Sequence, residues 1–134
     1  MPSIYKRHEE NQARLIEFLR HVQEAKETGL EQTRLLFAEF RERLETMIAT
    51  EEKVVFPRLD GPEESGKAGA SAVMRVEHRL IRQLLDEIGE KLLTGDMETD
   101  AEQIVLLELL CKHLQRERIA AYAGREEPPE EADR

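Results

Sequence analysis

Four stretches of this chain place apolar residues every three or four positions. The breaks inside the first pair and inside the second pair are only a few residues long. A stripe of period about 3.6 makes each stretch an amphipathic helix with one face to bury. A short break folds consecutive helices back on each other as antiparallel neighbours. The first stretch runs from about Ser3 to about Thr28, with a stripe through Ile4, His8, Leu15, Phe18, Leu19 and Val22. The second opens at Thr28, which with Glu31 reads as a capping box, and carries Phe37, Phe40, Leu44, Met47, Ile48, Glu51 and Val55 to a stop at Pro57. After a loop over 60–69, "DGPEESGKAG", the third spans about Ala70 to Leu93 through Val73, Val76/Glu77, Leu80, Ile81, Leu84, Leu85 and Ile88. Thr99 with Glu102 opens a fourth that runs to about Ala123. Helices of about 22 to 26 residues are roughly 35 Å long. The expected fold is all-α: an up-down-up-down antiparallel four-helix bundle over residues 1–123, followed by a disordered acidic tail over 124–134.

The bundle also reads as a two-fold repeat of one helical hairpin. "LETMIATEEKVVFP" (44–57) aligns with "LCKHLQRERIAAYA" (110–123), so that Leu44 meets Leu110, Met47 meets His113 and Glu51 meets Glu117. Composition supports helices with wet outer faces: 37% of residues are charged and 4% aromatic, with no Trp. A net charge of −9 disfavours nucleic acid and anionic membranes as partners, since both need basic patches. No apolar run approaches the roughly 18 residues of a membrane span. The opening "MPSIYKRHEENQ" lacks the apolar core of a secretory signal, and the single Cys111 cannot form an internal disulfide. The expected location is cytoplasmic.

The functional signal is what interrupts the stripes. Glu51 shares a helix face with Leu44, Phe40 and Phe37, so its carboxylate faces the bundle interior. His113 follows Leu106 and Leu110 on their face, and Glu117 lies one turn further on, about 6 Å away. His78 is in phase with Ile81 and Leu85, and His8 with Leu15 and Leu19. Buried carboxylates need compensation, and a metal cation supplies it directly. Imidazole with carboxylate suits iron, manganese or zinc, and bundle cores build di-metal sites from such sets. His21 is too far along its helix to join His8. Cys111 falls on the opposite side from His113. Tyr5, one turn before His8 on the same face, could approach a metal from above or donate a hydrogen bond to a metal-bound ligand.

His8, "TMIATEEKVVFP", "VEHRLI" and "KHLQRERIAAYA" together resemble the hemerythrin-like, HHE cation-binding domain family, over all but the acidic tail. The resemblance implies a non-haem di-iron centre, and a role in binding dioxygen, in sensing oxygen or redox state, in nitric oxide chemistry or in iron homeostasis. The matching positions, and so the implied metal ligands, are His8, Glu51, His78, His113 and Glu117, with Glu51 and Glu117 as bridging carboxylates. Met47 departs from the pattern, which has a histidine there. Arg82, one turn after His78, stands where the oxygen-carrying members have a ligand.

Five ligands suffice for two irons with open positions, or for a single iron, manganese or zinc. Of two ions, the one nearest the second helix would lack an imidazole and hold more exchangeable water. That favours sensing, peroxide or nitric oxide chemistry, or metal handling over reversible oxygen carriage. Met47 itself reads first as packing; a thioether ligand to hard ferric iron is the weaker reading. The expected partner is a small ligand such as dioxygen, nitric oxide or peroxide, with no nucleic acid and no membrane, and an exposed apolar strip could support a homodimer. The chain reads as a binding or sensing protein rather than an enzyme. The alternative is a degenerate, metal-free bundle acting as an interaction scaffold.

Overall fold

The structure, a computed structural model, describes residues 4–61 and 71–122, with side chains from Lys6 to Gly61 and from Ser71 to Ala121. The tail 124–134, most of the loop read over 60–69, Ser3, Ala70 and the Tyr5 side chain lie outside the described residues. All described elements are helical: α1 (Ile4–Glu24), α2 (Leu30–Thr50), α3 (Phe56–Asp60), α4 (Ala72–Leu93) and α5 (Asp100–Tyr122). A 3-10 turn over Ala25–Thr28 follows α1, and a π-helical turn over Glu51–Val55 joins α2 to α3. α1 packs on α2 and α5, and α4 on α5 and α2, which closes the expected four-helix bundle around one interior.

The main core joins Leu15, Leu19 and Val22 of α1, Phe37, Phe40, Leu44 and Ile48 of α2, Ile81, Leu85 and Ile88 of α4, and Leu106 and Leu110 of α5. Each such side chain contributes about 2 kcal/mol when fully buried. A second, smaller cluster of Val55, Phe56 and Met74 closes the other end. Between them lies a polar layer, set by register: Glu51 between Ile48 and Val55, His78 between Met74 and Ile81, His113 just beyond Leu110.

Several local expectations need correction. Thr28 does not cap α2. Its hydroxyl donates back to the Ala25 carbonyl inside the 3-10 turn. Gly29 occupies the N-cap at φ 115°, a left-handed conformation that glycine adopts without a Cβ clash. At the head of α5 the backbone N–H of Thr99 goes to Met97 O rather than to Glu102, and Glu102 pairs with Lys91. Pro57 does not end the second helix. The π turn carries the chain past it to Asp60, and Pro57 sits in the first turn of α3, where a missing N–H leaves nothing unbonded. The inward face of α4 is Met74, Glu77, His78, Ile81, Leu85, Ile88 and Leu92. Val73, Val76 and Leu80, read as part of that stripe, are exposed.

The π turn positions the site. The Phe56 N–H donates to Glu51 O, five residues back. The extra residue shifts the helical phase so that Glu51, Val55 and Phe56 all point inward. Such turns are rare and concentrate at functional sites. Asp60 then fastens the end of α3 to the start of α4, accepting hydrogen bonds from Ser71 N (2.8 Å) and Ser71 Oγ (2.7 Å).

Candidate metal centre

The five residues read from the sequence as ligands converge in the polar layer. His8 comes from α1, Glu51 from the π turn, His78 from α4, and His113 and Glu117 from α5; all five are buried. Glu51 is the hub. Its Oε1 lies 2.5 Å from His78 Nε2 and 2.9 Å from His113 Nε2. Its Oε2 lies 2.6 Å from His8 Nε2 and accepts a hydrogen bond of 2.7 Å from Gln12 Nε2. Glu117 Oε1 sits 3.0 Å from His8 Nε2, and its Oε2 is 3.7 Å from His113 Nε2. Among the described residues two groups could hold a metal ion and share Glu51: Glu51, His78 and His113, and His8, Glu51 and Glu117. In each, the donor atoms lie within 4.8 Å of one another. Neighbouring donors on an ion bound at about 2.1 Å are about 3 Å apart, close to these contacts.

A supporting layer lies behind the histidines. His78 Nδ1 faces Glu52 Oε2 at 2.8 Å, and His113 Nδ1 faces Glu77 Oε1 at 3.0 Å. Arg116 Nε donates to Glu77 Oε2 (3.1 Å), while Arg82 pairs with Glu45 and Glu52. Arg82 therefore holds a supporting carboxylate. A carboxylate behind each Nδ1 favours the Nδ1–H tautomer and turns the Nε2 lone pair toward Glu51 Oε1. Two lone pairs against one carboxylate oxygen repel unless a cation or protons lie between them. The donor chemistry thus fits a divalent metal. Phe56 stacks on His78 at 5.0 Å and meets His113 edge-on at 6.4 Å, sealing that side.

Electrostatics point the same way. Burial pushes the Glu51 carboxyl up, but contacts with His113, His78 and His8 outweigh it and hold it well below the usual carboxylate range. Burial pulls His8 down, yet Glu117 and Glu51 raise it to about 9. His113 is likewise raised by Glu51 and Glu77 against its burial. Burial, with Glu51 nearby, pushes Glu117 up to about 7 despite its contact with His8. The cluster attracts positive charge, and without a cation protons supply it.

Sequence reasoning missed Gln12, Glu52 and Glu77. Gln12 lies one turn after His8, a spacing that shares a helix face. Glu77 fell on the α4 stripe without a role, and Glu52 resembled a surface charge. Met47 takes no part in the polar network. It is buried in the main core. It also lines a cavity of about 10 Å³ with Gln12 and His113, and an open groove of about 350 Å³ that reaches His8. His21 and Cys111 are exposed and away from the cluster, as read.

Among the described residues no helix is long and apolar enough to cross a membrane. No curated protein and no solved structure matches the chain significantly. The profile of the hemerythrin HHE cation-binding domain matches residues 2–122. With that match over a helical bundle whose interior gathers histidines and glutamates from four segments, the chain belongs to the hemerythrin HHE cation-binding domain family.

Proposed function

We propose that this chain is a non-haem iron-binding protein holding two ions around Glu51. His78, His113 and Glu51 Oε1 serve one position, and His8, Glu117 and Glu51 Oε2 the other. The observation that carries this reading is Glu51 itself, a fully buried carboxylate whose two oxygens each face their own set of donors. Imidazole and carboxylate donors also suit manganese and zinc. The family's cation-binding character and the expected redox role favour iron. When bound, an iron pair supplies one- and two-electron exchange with a small ligand such as dioxygen, nitric oxide or peroxide.

The residues of this chain do the rest. Glu52 and Glu77 orient the two imidazoles, Phe56 keeps water from their faces, and Glu51 holds the two positions together. Three protein donors per ion leave positions for exchangeable ligands. The groove beside His8 and Met47 offers a small ligand a way in. This arrangement suits sensing or iron handling better than reversible oxygen carriage. The competing reading is a metal-free bundle held by protons on His8 and Glu117. The two separate in one experiment. Iron-loaded protein should show near-ultraviolet charge-transfer absorbance, and a chelator should abolish it and lower Tm by roughly 5 to 10 °C. A protein whose absorbance and Tm ignore both iron and chelator would be the metal-free bundle.

A further inference from the structure

We propose that Gln12 supplies an additional metal ligand, its carboxamide oxygen completing the His8 side of the centre where Met47 offers no imidazole. The inference rests on the two-iron reading above. Its first support is placement. His8 and Gln12 are one turn apart on α1, and both end on the same carboxylate oxygen, Glu51 Oε2, at 2.6 Å and 2.7 Å. A cation held by that oxygen and His8 therefore lies within reach of the amide.

Its second support is an unmet hydrogen bond. Gln12 is 3% exposed, and its Oε1 is buried with no hydrogen-bond partner among the described residues. A buried orphan acceptor destabilises the fold unless something else uses it. A half-turn of the amide exchanges its oxygen and nitrogen. With no cation the nitrogen must face Glu51, because two acceptors would repel. With a cation on Oε2 the preference reverses, and the carbonyl oxygen faces inward as a neutral, hard donor suited to iron or manganese. The cavity of about 10 Å³ that Gln12 lines with Met47 and His113 has room for about one water beside the amide.

A ligand and a mere hydrogen-bond donor to Glu51 respond oppositely to one substitution. Anaerobic ferrous iron is titrated into the metal-free full chain, for wild type, Q12E and Q12L. Metal-free Tm of each variant checks that it folds. Wild type should bind in two phases. Q12E, which keeps an oxygen and adds charge, should tighten the weaker phase and shift the charge-transfer absorbance of the oxidised protein. Q12L should weaken that phase roughly 10- to 100-fold and spare the tighter one. If Q12E weakens the phase as Q12L does, Gln12 only donates to Glu51 and the proposal fails. It fails also if wild type binds two irons and neither variant changes the binding. If wild type binds one iron or none, the two-iron reading itself falls and takes this proposal with it.

Discussion

Around Glu51 the cluster has two halves, and they are supported differently. On the α4–α5 side each imidazole is held from behind: Glu52 behind His78, Glu77 behind His113, and Arg82 and Arg116 behind the carboxylates. Phe56 covers both rings. On the α1 side, among the described residues, His8 pairs with Glu51 and Glu117. Glu117 Oε2 and Gln12 Oε1 are buried without hydrogen bonds among the described residues, and an open groove reaches His8. Outer carboxylates fix ring orientation and raise ligand basicity, so the first half should bind tightly and the second should exchange.

The shared residue should give the largest effect. Glu51→Ala removes a donor from both halves. It should take metal content from about two ions per chain to near none, read by mass spectrometry of the loaded protein. Next come the histidines, one from each half. His113→Ala removes one of two partners from Glu51 Oε1 and leaves buried Glu77 with Arg116 alone. It should destabilise the metal-free fold by about 3 kcal/mol in urea unfolding. His8→Ala should cost clearly less there, because Glu117, with its pKa pushed up to about 7, can take a proton instead. Equal costs would erase the difference between the halves.

A smaller effect belongs to the outer layer. Glu77→Ala leaves every ligand in place, yet should weaken the tighter iron roughly 10- to 100-fold in a competition titration. The weaker phase should be unmoved.

The pH response sharpens the contrast on the His8 side. A histidine raised from 6.5 to about 9 stabilises the metal-free fold fully below 6.5, and that contribution is lost as pH rises to about 9. A carboxyl raised from 4.5 to about 7 favours the fold while protonated, and loses that contribution between those values. The depressed Glu51 acts in the opposite sense, losing its contribution as pH falls below 4.5. Between pH 6.5 and 9 the metal-free protein should therefore lose stability. In the iron-loaded protein cations replace these protons, so the Tm gap between the two forms should widen across that range.

The bundle was legible because its information is periodic. Phe40, Leu44 and Ile48 recur at helical spacing on α2, as Ile81, Leu85 and Ile88 do on α4, and the short breaks impose antiparallel pairs. The five polar interruptions were legible for the same reason: a carboxylate or imidazole in phase with leucines has nowhere to point but inward. The π turn was not legible. It changes the phase within one turn, and Pro57 read as a terminus because nothing in the spacing announces an i+5 bond. On α4 the sequence offered two neighbouring apolar faces, and only packing against α2 and α5 selects the one through Met74 and Ile81. The outer layer escaped because Glu52 and Glu77 look like any acidic residue on a charged helix. Their role exists only once His78 and His113 are brought alongside from distant positions. Gln12 carried the right spacing from His8, but an amide at that spacing is common on solvated helices.

The decisive quantity is iron per chain, measured by mass spectrometry on protein purified without chelators from iron-supplied cells. Two halves around Glu51 predict about two irons per chain, one of them lost readily on dialysis. Far less than one iron per chain would contradict the reading of this cluster as a metal centre.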